Sequence, residues 1–293
     1  MKGWTLGVIG GSGLYGVEGL ANARWTRVDS PFGAPSDELL TGQLGGVRLV
    51  FLPRHGRGHR LPPSAINARA NIDALKRAGC TDVLSIAAVG SLREALAPGC
   101  FVVVDQFIDR TVARERSFFG PGLAAHVSMG DPVCRRLSVC AADAARAAGA
   151  PVVEGGTYLA MEGPQFSTKA ESELYRSWGC DVIGMTAMPE AKLAREAELP
   201  YAAVAMVTDY DCWRDAHVEV GHVLEVLSAN AGKAQDLVRR LAERLPAERP
   251  PSPIDTALDG AIITAPEARD PAMIEKLAAV AGRALGLSSP AVP

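Results

Sequence analysis

Short apolar runs that stop abruptly at glycine or at a polar cluster recur along this chain, and helix-like stretches separate most of them. Residues 6–9, 47–52, 82–89, 100–107, 152–162, 181–185 and 201–207 are such runs. Their length and their punctuation by Gly, Pro and Asp read as buried strands. Between them the chain carries helix signals. Ser64 is a candidate N-cap for a helix over 64–78 that ends at Gly79. Asp131-Pro132 is a cap followed by a first helical position for a helix over 131–148. Thr168 with Glu171 is a capping box for a helix to about Trp178, and Pro189 opens one to about Ala197. Residues 218–245 form a long amphipathic pattern with Val220, Val223, Leu224 and Leu227 on one side. Strand alternating with helix predicts an α/β fold with a largely parallel sheet.

With 293 residues, 48% of them apolar, the chain can bury a substantial core. A net charge of −3 gives no reason to expect nucleic acid or an anionic membrane as partner. No window approaches a membrane span. The first apolar run is too short for a secretory signal. Cys80, Cys100, Cys134, Cys140, Cys180 and Cys212 are scattered without a C-x-x-C pair, so they read as reduced thiols of a cytoplasmic protein.

In open α/β sheets ligands bind at the carboxyl ends of the strands, and the polar clusters of this chain follow its strands. The strand at 6–9 runs into Gly10-Gly11-Ser12-Gly13. Gly11, Gly13 and Gly16 spell G-x-G-x-x-G, but Gly and Asn occupy the stretch where a dinucleotide fingerprint needs a helix. A turn whose N–H groups and Ser12 hydroxyl cradle an oxyanion fits better, and a plain glycine turn fits equally well. The strand at 47–52 runs into Pro53-Arg54-His55-Gly56-Arg57-Gly58-His59-Arg60. Arginine's planar fork suits phosphate; the alternative is a solvated basic loop. His55 and His59 have helical metal-pair spacing, but Gly56 and Gly58 keep the segment off a helix. The strand at 201–207 ends in Thr208-Asp209-Tyr210-Asp211. Extended residues two apart project to one side, so Asp209 and Asp211 face one spot, where two carboxylates raise each other's pKa. An Asp-rich turn in solvent is the simpler alternative.

Residues 110–128, with Phe118, Phe119 and His126, make a loop long enough to be a lid or an interface element. After residue 248 comes a Pro-rich stretch, then Asp270-Pro271 capping a last helix to about Leu285, with a fraying end at 287–293.

IGGSGLY, PRHGRGH, AAVGSL, DQFIDRT, EGPQFST-x-AES, MTAMPEA-x-LA and VTDYDCW follow one another in this order. Together they resemble the 5'-methylthioadenosine phosphorylases of the purine nucleoside phosphorylase superfamily. The resemblance implies one α/β domain over 1–248, around a mixed, distorted sheet flanked by helices, with 249–293 as a Pro-rich linker and helical extension. It implies a homotrimer that needs no metal or organic cofactor. The implied reaction is phosphorolysis of 5'-methylthioadenosine to adenine and 5-methylthioribose 1-phosphate, in purine and methionine salvage. A phosphorylase for 6-oxopurine nucleosides or 5'-methylthioinosine is the alternative.

Carried over residue by residue, Ser12, Arg54, His55 and Thr186 match phosphate ligands, and Ala87-Ala88 the phosphate-side turn. Met185 matches the residue that meets the ribose. Asp209 and Asp211, with Tyr210 between them, match the purine-binding segment, Ser167 a base-side hydroxyl that affects specificity, and Val220 a position lining the 5' pocket. Ala87 departs from the hydroxyl residue that family members often carry, which leaves only main-chain contact there. In this reading a protonated Asp209 donates to N7 of the leaving purine, and an ionised Asp211 accepts from its exocyclic amine.

Overall fold

The computed structural model describes residues 3–11, 13, 14, 16–214 and 220–287. Its strands, in chain order, are β1 (Thr5–Gly10), β2 (Ala21–Thr26), β3 (Leu39–Leu44), β4 (Val47–Pro53), β5 (Asp82–Ser91), β6 (Phe101–Val104), β7 (Gln106–Asp109), β8 (Val152–Glu154), β9 (Thr157–Ala160), β10 (Val182–Gly184) and β11 (Tyr201–Tyr210). The helices are α1 (Ala68–Arg77), α2 (Arg135–Ala147), α3 (Lys169–Ser177), α4 (Ala187–Glu196), α5 (Val220–Arg244), α6 (Pro271–Lys276) and α7 (Ala278–Ala281).

β5 is the strand on which the sheet turns. Over its first half it pairs in parallel with β1, which itself pairs in parallel with β4. Along its length it pairs in parallel with β11, and near its carboxyl end it takes β10 in antiparallel register on the other side. The sheet is therefore mixed, as the resemblance implies, where strand–helix alternation alone predicts a largely parallel one. Side chains alternate across it as a strand requires. Ala202, Val204 and Met206 of β11 join the core under α2 and α5, and Ala203, Ala205 and Val207 join the core under α1 and α4.

Two expected strands are each broken in two. The run at 100–107 splits at Asp105, and the run at 152–162 splits at Gly155-Gly156, where φ is +83° and +136°. Asp105 Oδ1 accepts the Gly156 N–H at 3.0 Å, so the two breaks are joined. Before the breaks β6 and β8 pair with each other on the β11 side; after them β7 and β9 pair on the β10 side. The sheet thus bends back upon itself around the end of β5.

Helix starts also differ from the sequence expectation. Ser64 does not cap α1. Pro62 and Pro63 hold residues 63–65 in a separate 3-10 turn, and Asn67 caps α1 by accepting the Ala70 N–H at 3.1 Å. Asp131 does not cap α2 either. The Cys134 N–H donates to the Tyr201 carbonyl at 2.7 Å, which ties this segment to the start of β11, and the helix begins only at Arg135. The Thr168–Glu171 capping box on α3 is present as read. The side chains of Val220, Val223, Leu224 and Leu227 and the chain end at 288–293 lie outside the described residues.

The C-terminal segment packs on the body. Leu258, Leu277 and Val280 enter the core under α1 and α4, and Ile254 enters the other. Arg249 holds the proline-rich stretch in place through Asp255 at 2.6 Å and through Asp82 at the start of β5. Asp270 caps α6 as expected, but the helix breaks at Leu277 rather than running to Leu285. No helix among the described residues is long and apolar enough to cross a membrane.

Candidate active site

β1 and β4 stop at Gly10 and Pro53, paired with each other, while β5 runs on past them. The Gly10 turn and the Arg54 loop therefore open together beside residues 85–88. The Arg54 N–H donates back to the Gly10 carbonyl at 3.0 Å, which locks the two turns to each other. The Arg54 side chain runs inward and is 2% exposed. Its Nε donates to Glu190 Oε1 at 2.5 Å, its Nη2 to Ser85 Oγ at 2.6 Å and to Glu190 Oε2 at 3.2 Å, and its Nη1 to the Ile86 carbonyl at 3.0 Å. Ser85 Oγ in turn donates to Glu190 at 3.0 Å. Burial alone disfavours the guanidinium charge, but the Glu190 carboxylate outweighs it and holds Arg54 above its usual pKa. The basic loop is thus no solvated surface at Arg54. Its charge is balanced inside the protein, and Nη1 keeps one N–H beyond the bond to Ile86.

His55 follows directly. Its Nδ1 lies 2.9 Å from the Leu61 carbonyl. A carbonyl only accepts, so Nδ1 carries the proton and Nε2 is the open position. Burial, reinforced by the Arg54 charge, pushes the imidazole down to about 4 against the carbonyl's opposing pull, so it is neutral at pH 7. The His59 ring stacks on it at 4.1 Å. Gly56 and Gly58 take positive φ, as a loop this tight demands.

The third contributor arrives from β10. Val182 pairs with Ser91 and Ile183 with Gly90 in antiparallel register. Gly184 comes next, close to Val89, and Met185 and Thr186 follow it. Gly184 has no room for a side chain, because a Cβ there would overlap the Tyr158 hydroxyl. Thr186 is the N-cap residue of α4, the helix that carries Glu190. A Cβ on Gly163, which has φ +67°, would overlap Met185 Sδ, so this glycine lets the methionine lie against the 162–164 turn.

At the far end of β5 the register with β11 shifts between Val207 and Asp209, and Asp209 pairs with Gly90. A Cβ on Gly90 would lie 3.2 Å from Asp209 Oδ2 and 3.3 Å from Asp211 Cβ. Both acids therefore gather over one glycine, despite the bulge between them and the regular part of the strand. Thr208 Oγ1 donates to Asp209 Oδ1 at 2.7 Å. Asp211 is 4% exposed and accepts from the Ser172 hydroxyl. Burial pushes its carboxyl up, and the Ser172 hydroxyl, the Cys212 N–H and the Ser167 hydroxyl pull part of the way back. The rise falls on the acid that the sequence reading takes as ionised.

The structure thus gathers Arg54, His55, Met185, Thr186, Asp209, Asp211 and the buried Ser167 around the carboxyl half of β5, which itself carries Ala87 and Ala88. Tyr210 points elsewhere. Its hydroxyl donates to the Glu94 carbonyl at 3.2 Å, and Arg214 lies 3.8 Å over its ring. Ser12 and the Val220 side chain lie outside the described residues. Sequence reasoning missed Glu190, Ser85 and Ser172. Glu190 and Ser172 sit inside the MPEA and AES motifs, yet nothing local says that one neutralises Arg54 and the other holds Asp211. A separate cleft of about 800 Å³, between the start of α2 and residues 251–254, contains none of these groups. Among the described residues no group of three or more His, Cys, Asp or Glu could hold a metal ion.

Known proteins are similar to this chain in both sequence and fold. The chain is 61% identical to the S-methyl-5'-thioadenosine phosphorylase of Cereibacter sphaeroides over 96% of its own length and 98% of the relative's. It is 60% identical to that of Rhodospirillum rubrum over 96% and 97%. Its fold superposes with a TM-score of 0.90, at 44% identity, on the crystal structure of a methylthioadenosine phosphorylase from an antarctic soil metagenomic library, covering 95% of this chain and 99% of that one. It also matches a Schistosoma mansoni methylthioadenosine phosphorylase in complex with adenine, with a TM-score of 0.80 at 38% identity, covering 84% and 93%. The phosphorylase superfamily profile matches residues 5–243, from the first strand through nearly all of α5, so the span that builds the site is the span that is shared, and the chain belongs to the phosphorylase superfamily.

Proposed function

We infer that this chain cleaves 5'-methylthioadenosine with inorganic phosphate, releasing adenine and 5-methylthioribose 1-phosphate. It is an enzyme of the pentosyltransferase class, acting in purine and methionine salvage. One observation carries the chemistry: the candidate groups follow one another along β5. Arg54 donates to the Ile86 carbonyl, Met185 and Thr186 follow β10 after its pairing with Ser91 and Gly90, and the two acids gather at Gly90. At about 3.3 Å per residue Ile86 and Gly90 are about 13 Å apart, which leaves room for a pentose between an anion and a flat base.

Breaking an N-glycosidic bond leaves a purine anion and an oxocarbenium-like sugar. Asp209 supplies the proton at N7, and Asp211 reads the exocyclic amine with Ser167 beside it. Phosphate sits with a P–OH donating to the unprotonated His55 Nε2, and its other oxygens face the free Arg54 N–H, the Thr186 hydroxyl, the Ser12 turn and the main chain of Ala87-Ala88. There it is oriented for attack and sets negative charge beside the developing cation. Met185 lies against the ribose, and Val220 against the 5' substituent. Phosphate is a co-substrate, and no metal or organic cofactor takes part.

We place the enzyme in the cytoplasm as a homotrimer. Val112, Phe166, Leu174 and Trp178 are large apolar side chains left exposed around α3, in segments that touch one another, as a subunit contact requires. Light scattering on the purified protein checks the assembly; a monomer would refute it. The function is tested by comparing methylthioadenosine, adenosine, methylthioinosine and inosine, each with and without phosphate. Methylthioadenosine should give the highest kcat/KM, and adenine release should require phosphate. Preference for an inosine-type substrate would instead favour the 6-oxopurine reading.

A further inference from the structure

Arg114 has no part in the chemistry above, yet it is among the most tightly bound side chains near the site. It lies on the segment between β7 and α2, and its side chain is 7% exposed. Nη1 donates to the Met185 carbonyl at 2.5 Å and to the Met188 carbonyl at 2.8 Å. Nη2 donates to the Glu162 carbonyl at 2.6 Å, and Nε to Glu162 Oε1 at 3.0 Å. The other Glu162 oxygen accepts the N–H groups of Val112 at 2.6 Å and Ala113 at 3.2 Å, which fixes the backbone that carries Arg114.

The two carbonyls that share Nη1 bracket Thr186 and Ala187. The backbone between them is irregular: Met188 has φ −115° and ψ 134°, inside what is otherwise the start of α4. Carbonyls in such a turn find no partners in a regular ladder and need another donor. A guanidinium can meet several acceptors at once because its N–H groups lie in a rigid plane. The same segment is anchored further along α4, where Lys192 holds Asp109 at 2.5 Å and Glu196 accepts from Ser117 Oγ and the Phe118 N–H, each at 2.7 Å. Lys192 and Glu196 are four apart and lie on one face of the helix, so these contacts follow that face.

We propose that Arg114 is a positioning residue: by gripping the carbonyls of Met185 and Met188 it sets the turn that presents Thr186 to phosphate and Met185 to the ribose. The proposal rests on the phosphorolytic reading above. It places the effect at the anion and sugar end, away from Asp209 and Asp211.

Arg114→Ala and Arg114→Lys are to be measured for thermal melting, KM for phosphate, kcat, and equilibrium affinity for adenine. The Ala variant should raise KM for phosphate by about tenfold to a hundredfold, the scale on which small misplacements act, with adenine affinity within about twofold. The Lys variant keeps the charge but not the planar fork, and should fall between it and the unaltered enzyme. Unchanged phosphate KM in a folded variant overturns the proposal. So does adenine affinity that weakens in step with phosphate KM, because that marks a general loosening. If the Ala variant fails to fold, the Lys variant decides by the same criteria. Absence of phosphate-dependent cleavage in the unaltered enzyme refutes the phosphorolytic reading instead, and is seen before any variant is made.

Discussion

The two ends of β5 keep ionisable groups out of water in opposite ways. At residues 85–86 a buried arginine meets a buried glutamate, with Ser85 satisfying both. At Gly90 the equally buried Asp211 is held by hydroxyls and a backbone N–H, and no cation shares its charge among the described residues. The first arrangement is neutral as built. In the proposed reading Arg54 therefore offers phosphate a fixed donor rather than an unbalanced charge, and Glu190 holds that donor in place. The second arrangement raises the proton affinity of Asp211, the acid proposed to read the exocyclic amine, next to the Asp209 proposed to donate at N7.

The sharpest way to break this comparison is at the base end. Asp209→Asn should lower kcat/KM for methylthioadenosine by about 10²–10⁴-fold, the usual worth of a positioned acid, and should move relative preference toward methylthioinosine. An unchanged ratio of the two kcat/KM values would remove Asp209 from the role of N7 donor.

Stability should divide the two ends next. Glu190→Gln strands a buried guanidinium and should cost about 3–5 kcal/mol in urea denaturation at pH 7. Asp211→Asn removes a carboxyl that burial already disfavours, keeps an acceptor for Ser172, and should cost distinctly less. Equal losses would mean that the ends are not held differently.

The smallest effect is a pH dependence. His55 is lowered from 6.5 to about 4, so between those values the unfolded chain binds a proton that the folded protein refuses. Its contribution is present above pH 6.5 and is lost as pH falls to 4, at most about 3 kcal/mol. Asp211 is shifted the other way, so its contribution weakens as pH rises past the ordinary carboxyl range. Replacing His55 by Gln should flatten the acid side of the stability profile and leave the Asp211 side intact. A profile that stays as steep would show that His55 is not the buried neutral group on that side.

Much of the site was legible because its residues sit in short motifs at strand ends. Arg54-His55 and Asp209-x-Asp211 stand out by residue type, spacing and the apolar run before them, whereas Met185-Thr186 is marked only by the resemblance. The capping box of α3 was readable for the same reason, since both partners lie within one turn. What escaped reading depends on distant partners. Glu190 meets Arg54 across 136 positions, and Ser172 meets Asp211 across 39. The start of α2 was misplaced because Tyr201, remote in sequence, holds Cys134. The breaks at Asp105 and Gly155-Gly156 are matched to each other, so neither run alone announces where it bends.

By itself, then, the sequence determined the alternation of strand and helix, which strand ends carry polar chemistry, and which acids and bases are available. Those follow from periodicity and from the conformational limits of a few consecutive residues. Only the tertiary structure decided that the sheet bends back around β5, that Arg54 is neutralised, that Tyr210 points away while its neighbours converge, and that Arg114 grips the turn beside Thr186. Burial and pairing set the charge and direction of a side chain, and both come from contacts between segments far apart in the chain.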